Sequence, residues 1–168
     1  VVTSGVRREP DGLEHRYRAL FDEETGLAGE LVLRDRVDVS LARARRFNRS
    51  VLVAWFELHP PEPGDPAHTA QRVGGALRDA VRPDDTVARV DDWEFVVLCN
   101  DLAHEEAVER IVRRLHGAIR RATPGSDTEL LARLGTALGQ AGNHPRRVLE
   151  EARARLRPIG AAAGAGAD

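Results

Sequence analysis

Two stretches of the chain set charged side chains beside apolar runs: Arg82-Pro83-Asp84-Asp85 and Asp91-Asp92-Trp93-Glu94. Arginine presents a planar fork suited to phosphate and guanine edges, and all 25 basic residues of this chain are arginine. A small anionic ligand therefore stays open. Read alone, Arg82 and Asp85 are an arginine at a helix end, complementing the dipole, and a turn aspartate. Glu57 stands at the end of an apolar run, where a carboxylate either ligates a hard cation or is held by water. His59 and His68 flank a proline-rich loop without a ligand constellation around them, which reads as a solvated loop. Cys99 is the single cysteine and lies in the apolar run Val96–Cys99. That excludes an intrachain disulfide and marks a buried small hydrophobe.

Charge narrows the partners further. With 27 acidic against 25 basic residues, net −2, the chain lacks the cation surplus that a polymeric nucleic acid requires. The Arg45-Arg46, Arg113-Arg114, Arg120-Arg121 and Arg146-Arg147 pairs have no interleaved aromatics and read as solvated helix faces. A hydrophobic fraction of 42%, spread over 168 residues, fits one folded domain and excludes wholesale disorder. No run resembles a membrane span, a signal peptide or a lipidation site, so the expected compartment is the cytoplasm. The chain has no methionine and begins Val1-Val2-Thr3-Ser4, as expected of a segment of a longer protein.

The elements that must position these residues follow from periodicity. Leu13–Phe21 is a candidate short helix, and Asp22-Glu23-Glu24-Thr25-Gly26 a turn or capping segment. From Ala28 to Phe47 the residues Leu31, Val32, Val39, Ala42 and Phe47 fall near helical spacing and define the expected inward face. Val51–Leu58 is unbroken and apolar, which predicts a central strand covered on both faces. His59–Pro66 carries four prolines and must be a loop. Residues 67–81 read as a helix. Thr86–Val90 and Trp93–Cys99 read as strands joined tightly through Asp91-Asp92, with Trp93 at an exposed hairpin tip, either folded back on the molecule or serving as a contact anchor. Residues 103–121 form an amphipathic helix, Leu130–Leu138 a further strand, and Pro145 opens a last helix through Leu156. The order is the split β-α-β-β-α-β arrangement with extra helices: an α+β sandwich on a mostly antiparallel sheet.

The hairpin segment Ala88-Arg89-Val90-Asp91-Asp92-Trp93-Glu94-Phe95-Val96-Val97-Leu98 resembles the Ala-Arg-Leu-Gly-Gly-Asp-Glu-Phe-Val-Val-Leu segment of the GGDEF family. These are diguanylate cyclases, which join two GTP molecules into cyclic di-GMP. Asp22-Glu23-Glu24-Thr25-Gly26-Leu27 resembles the family's Asp-x-Leu-Thr-Gly-Leu, Ala42–Arg46 its first helix, and Leu134-Gly135-Thr136-Ala137 its Ile-Gly-Val-Ala strand. The resemblance implies a nucleotide-cyclase, palm-like fold with a ferredoxin-like core over residues 19–157. Residues 1–18 are then a linker or the end of an upstream signalling helix, and 158–168 a flexible Gly/Ala-rich tail.

The family's catalytic residues do not carry over intact. Of the two carboxylates that hold Mg²⁺ in the family, Glu57 falls on the first position, whereas Trp93 falls on the second and cannot ligate. Asp91 and Asp92 replace glycines that let the backbone approach phosphates. The guanine-reading stretch is shortened to His59–Pro66, Ala67 stands where an aspartate is expected, and the late phosphate lysine falls near Gly160. These changes predict no cyclase activity, no catalytic residues and no Mg²⁺, with Glu57, Asp91, Asp92, Trp93 and Glu94 as degenerate active-site positions. The family's product-inhibition motif, Arg-x-x-Asp, matches Arg82-Pro83-Asp84-Asp85 in position. Glu109-Arg110-Ile111 resembles the segment whose arginine completes that site, and Arg89 matches the arginine before the signature. The resemblance thus implies a cyclic di-GMP site of Arg82, Asp85, Arg89 and Arg110. Two roles stand open, a cyclic di-GMP receptor or a ligand-free interaction or dimerisation module, the partner being a second copy or another signalling domain; residual cyclase activity is the third reading.

Overall fold

A computed structural model describes residues 20–59, 65–123 and 132–159. Four helices and five strands alternate along it: α1 (Glu30–Phe47), β1 (Ser50–Leu58), α2 (Pro66–Asp79), β2 (Thr86–Asp91), β3 (Glu94–Leu102), α3 (Ala107–Ala122), β4 (Ala132–Gly139), α4 (Pro145–Ala154) and β5 (Arg157–Pro158). The sheet order is β2-β3-β1-β4-β5, with antiparallel neighbours throughout. Its first four strands have the order of a ferredoxin-like core, and the expected fold class holds. The helix expected over Leu13–Phe21 lies outside the described residues except for Leu20 and Phe21.

β1 is central because its sequence can be covered on both sides: Val51 to Phe56 are all buried. Leu52, Ala54 and Phe56 join the core beneath α2 and α3, with Leu77, Leu115 and Ile119. Val51, Val53 and Trp55 face the other way, toward α1 and α4, with Leu33, Val37, Val148 and Ala152. Helix ends follow their local chemistry. Asp65 Oδ1 accepts from the amides of Ala67 and His68, and Pro66 occupies the first turn of α2. Asn48, at φ 50°, closes α1 in the left-handed conformation that asparagine tolerates.

Three expectations need correction. The inward face of α1 is Leu33, Val37, Ser40, Leu41 and Ala44, whereas Leu31, Val39, Ala42 and Phe47 are exposed. At about 100° per residue the first set fills one stripe roughly 100° wide, while the second lies on an arc of roughly 160° on the opposite, solvent-facing side of the helix. The hairpin turn is Asp92-Trp93, one residue later than expected, because the register slips between Arg89 and Asp91. An extra residue at Val90 carries β2 on to Asp91. Trp93 is accordingly half-buried and packs on the α2/α3 core, and its carbonyl accepts from the Leu58 amide at 2.9 Å. β5 was not foreseen: two residues give no periodicity to read.

Candidate functional site

The turn after α2 brings Arg82 and Asp85 to the start of β2. Asp85 holds this turn closed: its Oδ2 accepts from the Arg82 amide at 3.1 Å and its Oδ1 from the Asn100 amide at 2.9 Å. Asn100, on β3, also donates its side-chain amide to the Asp84 carbonyl. The turn is therefore fastened to the sheet at two points. It borders a cavity of about 550 Å³, whose wall from α3 contributes Arg110 and Arg114 and whose floor includes Cys99. A carboxylate offers about four acceptor positions, so Asp85 keeps acceptor capacity after both backbone bonds. None of Arg82, Arg110 and Arg114 has an ion pair among the described residues.

Arg114, read from the sequence as half of a solvated arginine pair, instead lines this cavity, and its spacing from Arg110 puts both on one helix face. Asn100 was missed, and only the β2–β3 pairing brings it to the turn. Burial pushes the Cys99 thiol up to about 12; the Asp85 carboxylate adds to this, while Arg114 and Arg82 oppose it. Cys99 is 2% exposed. The native protein should resist maleimide labelling at about pH 8, where an ordinary thiol is partly ionised, and label fully in denaturant. Rapid labelling without denaturant would contradict this account of the cavity floor.

Arg89 is not brought to this cavity. It lies four residues beyond Asp85 along β2, about 13 Å at strand rise, and its side chain is committed elsewhere. Nη1 pairs with Asp22 at 3.2 Å and with Glu24, while Nε and Nη2 donate to the Asp92 carbonyl at 3.1 and 2.8 Å. Asp22 in turn organises its own loop, accepting from the Thr25 amide at 2.7 Å, with Gly26 at φ 66° completing the turn. Burial alone would raise the Asp22 carboxyl; the Thr25 hydrogen bonds and the Arg89 guanidinium outweigh it and hold the group below the usual carboxylate value. Arg89 thus joins the 22–27 loop to the hairpin tip.

The degenerate active-site positions gather at the other end of the sheet. Glu57 accepts from Arg133 Nη1 at 2.9 Å and has His59 Nε2 at 3.6 Å. Glu94 accepts from Trp55 Nε1 at 2.8 Å and from Arg153 Nη2 at 2.7 Å. Asp91 and Asp92 are exposed on the turn, where Asp91 Oδ1 accepts from the Asp92 amide. His68 is separate, exposed at the start of α2. Mg²⁺ demands near-octahedral oxygen ligands, of which a protein supplies one or two free carboxylates beside waters and substrate phosphates. Here Glu57, the one carboxylate left at the two expected Mg²⁺ positions, and its neighbour Glu94 each hold an arginine, Trp93 stands at the other position, and among the described residues no group of three or more Asp, Glu, His or Cys is placed to hold a metal ion. This donor set does not fit such an ion. Gly160 and the loop residues 60–64 lie outside the described residues.

The family description "Diguanylate cyclase, GGDEF domain" matches residues 68–164. A sensory box/GGDEF family protein from Caulobacter crescentus shares the fold with a TM-score of 0.69 at 21% identity, over 82% of this chain and 96% of that one. The GGDEF domain of DgcB from the same organism, solved with c-di-GMP, gives 0.67 at 18% identity over 92% and 89%. The diguanylate cyclase SiaD from Pseudomonas aeruginosa, solved with its activator SiaC, gives 0.68 at 18% identity. That alignment covers 85% of this chain and 58% of SiaD. No protein of curated function matches significantly. Among the described residues no helix is long and apolar enough to cross a membrane.

Proposed function

The chain belongs to the GGDEF family, and from that membership we propose that it is a catalytically inactive signalling domain that receives cyclic di-GMP in the Arg82 cavity. The observation that carries the reading is the convergence of Arg82, Arg110 and Arg114 with Asp85 around about 550 Å³, a volume within the usual range for small-molecule sites. Arginine forks grip phosphates or the guanine O6/N7 edge in a bidentate manner, and the free acceptor positions of Asp85 suit guanine N–H donors. The resemblance assigned Arg89 to the same ligand; we give its place to Arg114, since Arg89 is occupied by Asp22 and Glu24.

Loss of catalysis is the second half of the proposal. Phosphoryl transfer relies on positioning and on charge stabilisation by metal ions. Arginines on Glu57 and Glu94, a tryptophan at position 93 and acidic residues at 91 and 92 work against both. We place the domain in the cytoplasm, working with a second copy of itself or with a partner signalling domain.

Titration calorimetry with cyclic di-GMP tests the receptor role. Heat is expected with the wild type and a loss of about 100-fold in affinity with Arg82→Ala, since a charge-assisted contact is worth about 2–3 kcal/mol. No heat, or unchanged affinity in the variant, defeats it. Purified protein given GTP and Mg²⁺ should form no cyclic di-GMP, and detection of product defeats the inactivity claim. The exposed apolar residues Leu31, Val39 and Phe47 on α1 favour the second reading, a ligand-free interaction or dimerisation module. A thermal shift separates the two, because a ligand at 100 times its Kd stabilises by about 2.7 kcal/mol.

A further inference from the structure

Glu57 and Glu94 are direct partners across β1 and β3, so two carboxylates face each other on one side of the sheet. Like charges directly opposite destabilise a strand pair, and here each is neutralised from the last third of the described chain. Arg133 is the register partner of Glu57 on β4, and Arg153 comes from the last turn of α4. Arg153 also lies over the Trp55 ring at 5.4 Å, and Arg133 Nη2 donates to the Leu156 carbonyl at 3.3 Å. Glu94 is only 15% exposed and Glu57 25%. Arginine does not deprotonate in proteins, so both positive charges are permanent.

We propose that Arg133 and Arg153 stand in for a divalent cation on the Glu57–Glu94 pair, and that the pair serves to anchor the segment from α4 to β5 on the sheet. Two independent features point this way. The arginines approach the carboxylates from the side on which α4 packs, with Trp55 completing the partners of Glu94. The body of α4 is held by the buried Val148, Leu149 and Ala152, but beyond Leu156 the ties thin out: β5 contributes two residues, and the backbone bond from the Ile159 amide to the Ala132 carbonyl is the outermost fastening. Removing the two guanidinium groups would leave two facing, partly buried carboxylates without their arginines, one of them hydrogen-bonded to the Trp55 indole. This inference concerns the end of the sheet away from the Arg82 cavity and does not depend on nucleotide binding there.

Terbium(III) is a hard, oxygen-seeking probe whose emission is sensitised by nearby indoles such as Trp55. The wild type should give no saturable sensitised emission, and its thermal midpoint should be the same in EDTA and in Mg²⁺. The double variant Arg133→Gln/Arg153→Gln should acquire saturable emission that Mg²⁺ or Mn²⁺ competes away and that a further Glu94→Gln change removes. Saturable, Mg²⁺-competed emission from the wild type would overturn the proposal. So would a double variant that is folded by circular dichroism yet gains no emission. Should the double variant not fold, Glu94→Gln alone decides: amide exchange at Leu156–Ile159 should accelerate several-fold over that of α2, and unchanged exchange there overturns the anchoring role.

Discussion

Gly135→Ala should be the most destabilising small substitution in this domain. Gly135 lies on β4 where the end of α4 crosses it, and a Cβ added there would sit 2.0 Å from the Ala152 carbonyl oxygen and 2.9 Å from the Leu156 amide nitrogen. Both obstacles are backbone, so no rotamer change relieves the overlap. The helix must lift, and with it the buried contacts of Val148, Leu149, Ala152 and Leu156 against the sheet. Overpacking usually costs about 1–3 kcal/mol; a backbone clash this close places the cost nearer 4 kcal/mol, the range in which single substitutions become exceptional. Against a total stability of about 5–15 kcal/mol, the urea midpoint should fall steeply and expression should suffer. A variant with wild-type midpoint would mean that α4 does not pack here.

Arg89→Ala should have the second largest effect, and on stability rather than on ligand affinity. The Arg89 side chain is 9% exposed and serves Asp22, Glu24 and the Asp92 carbonyl at once. Deleting it leaves two acids without their cation. Breaking a buried pair costs about 3–5 kcal/mol; because Asp22 and Glu24 keep 23% and 34% exposure, the lower end, about 3 kcal/mol, applies. That corresponds to a fall in Tm of roughly 10 °C for a domain of this size. Cyclic di-GMP affinity should remain that of the wild type, in contrast to Arg82→Ala. A loss of affinity at full stability would restore Arg89 to the ligand site.

The same clasp gives a pH dependence of known sign. The Asp22 carboxyl is held below its unfolded value. Its contribution is therefore complete above the unfolded pKa, about 3.9, and is lost as pH falls through the lower folded value. Acid unfolding should accordingly shift to higher pH in Arg89→Ala, and a titration by circular dichroism reads this directly.

How much of this was legible in the sequence depends on the kind of constraint. β1 was readable because burial on both faces demands an unbroken apolar run; α2 was legible to within a residue of its start, but Asp65 and Pro66, read as part of the proline loop, are its cap and first turn. The inward face of α1 was not, since that helix carries two sets of apolar residues and only the sheet beneath selects between them. The hairpin was misplaced by one residue because a slip in pairing at Val90 leaves no compositional trace. At the candidate site, Arg82, Asp85 and Arg110 were found together by position relative to a known pattern, and the structure brings all three to one cavity. Arg89 belonged to the same pattern, but linear proximity concealed a separation along the strand. Arg133 and Arg153 carried no signal, because their significance arises only from cross-strand register and from the crossing of α4.

The two outer strands have a consequence for how copies of the chain can meet. Exposed strand edges invite intermolecular pairing and fibrillar growth. At β2 the edge is occupied along its middle by Ala28, whose amide donates to the Val87 carbonyl and whose carbonyl accepts from the Arg89 amide. At the opposite side, β5 is two residues long and ends on Pro158, which has no amide proton to offer. Both borders are thus blunted against templating another molecule's backbone, which makes side-chain surfaces, such as the exposed apolar residues of α1, the open route for copies to meet.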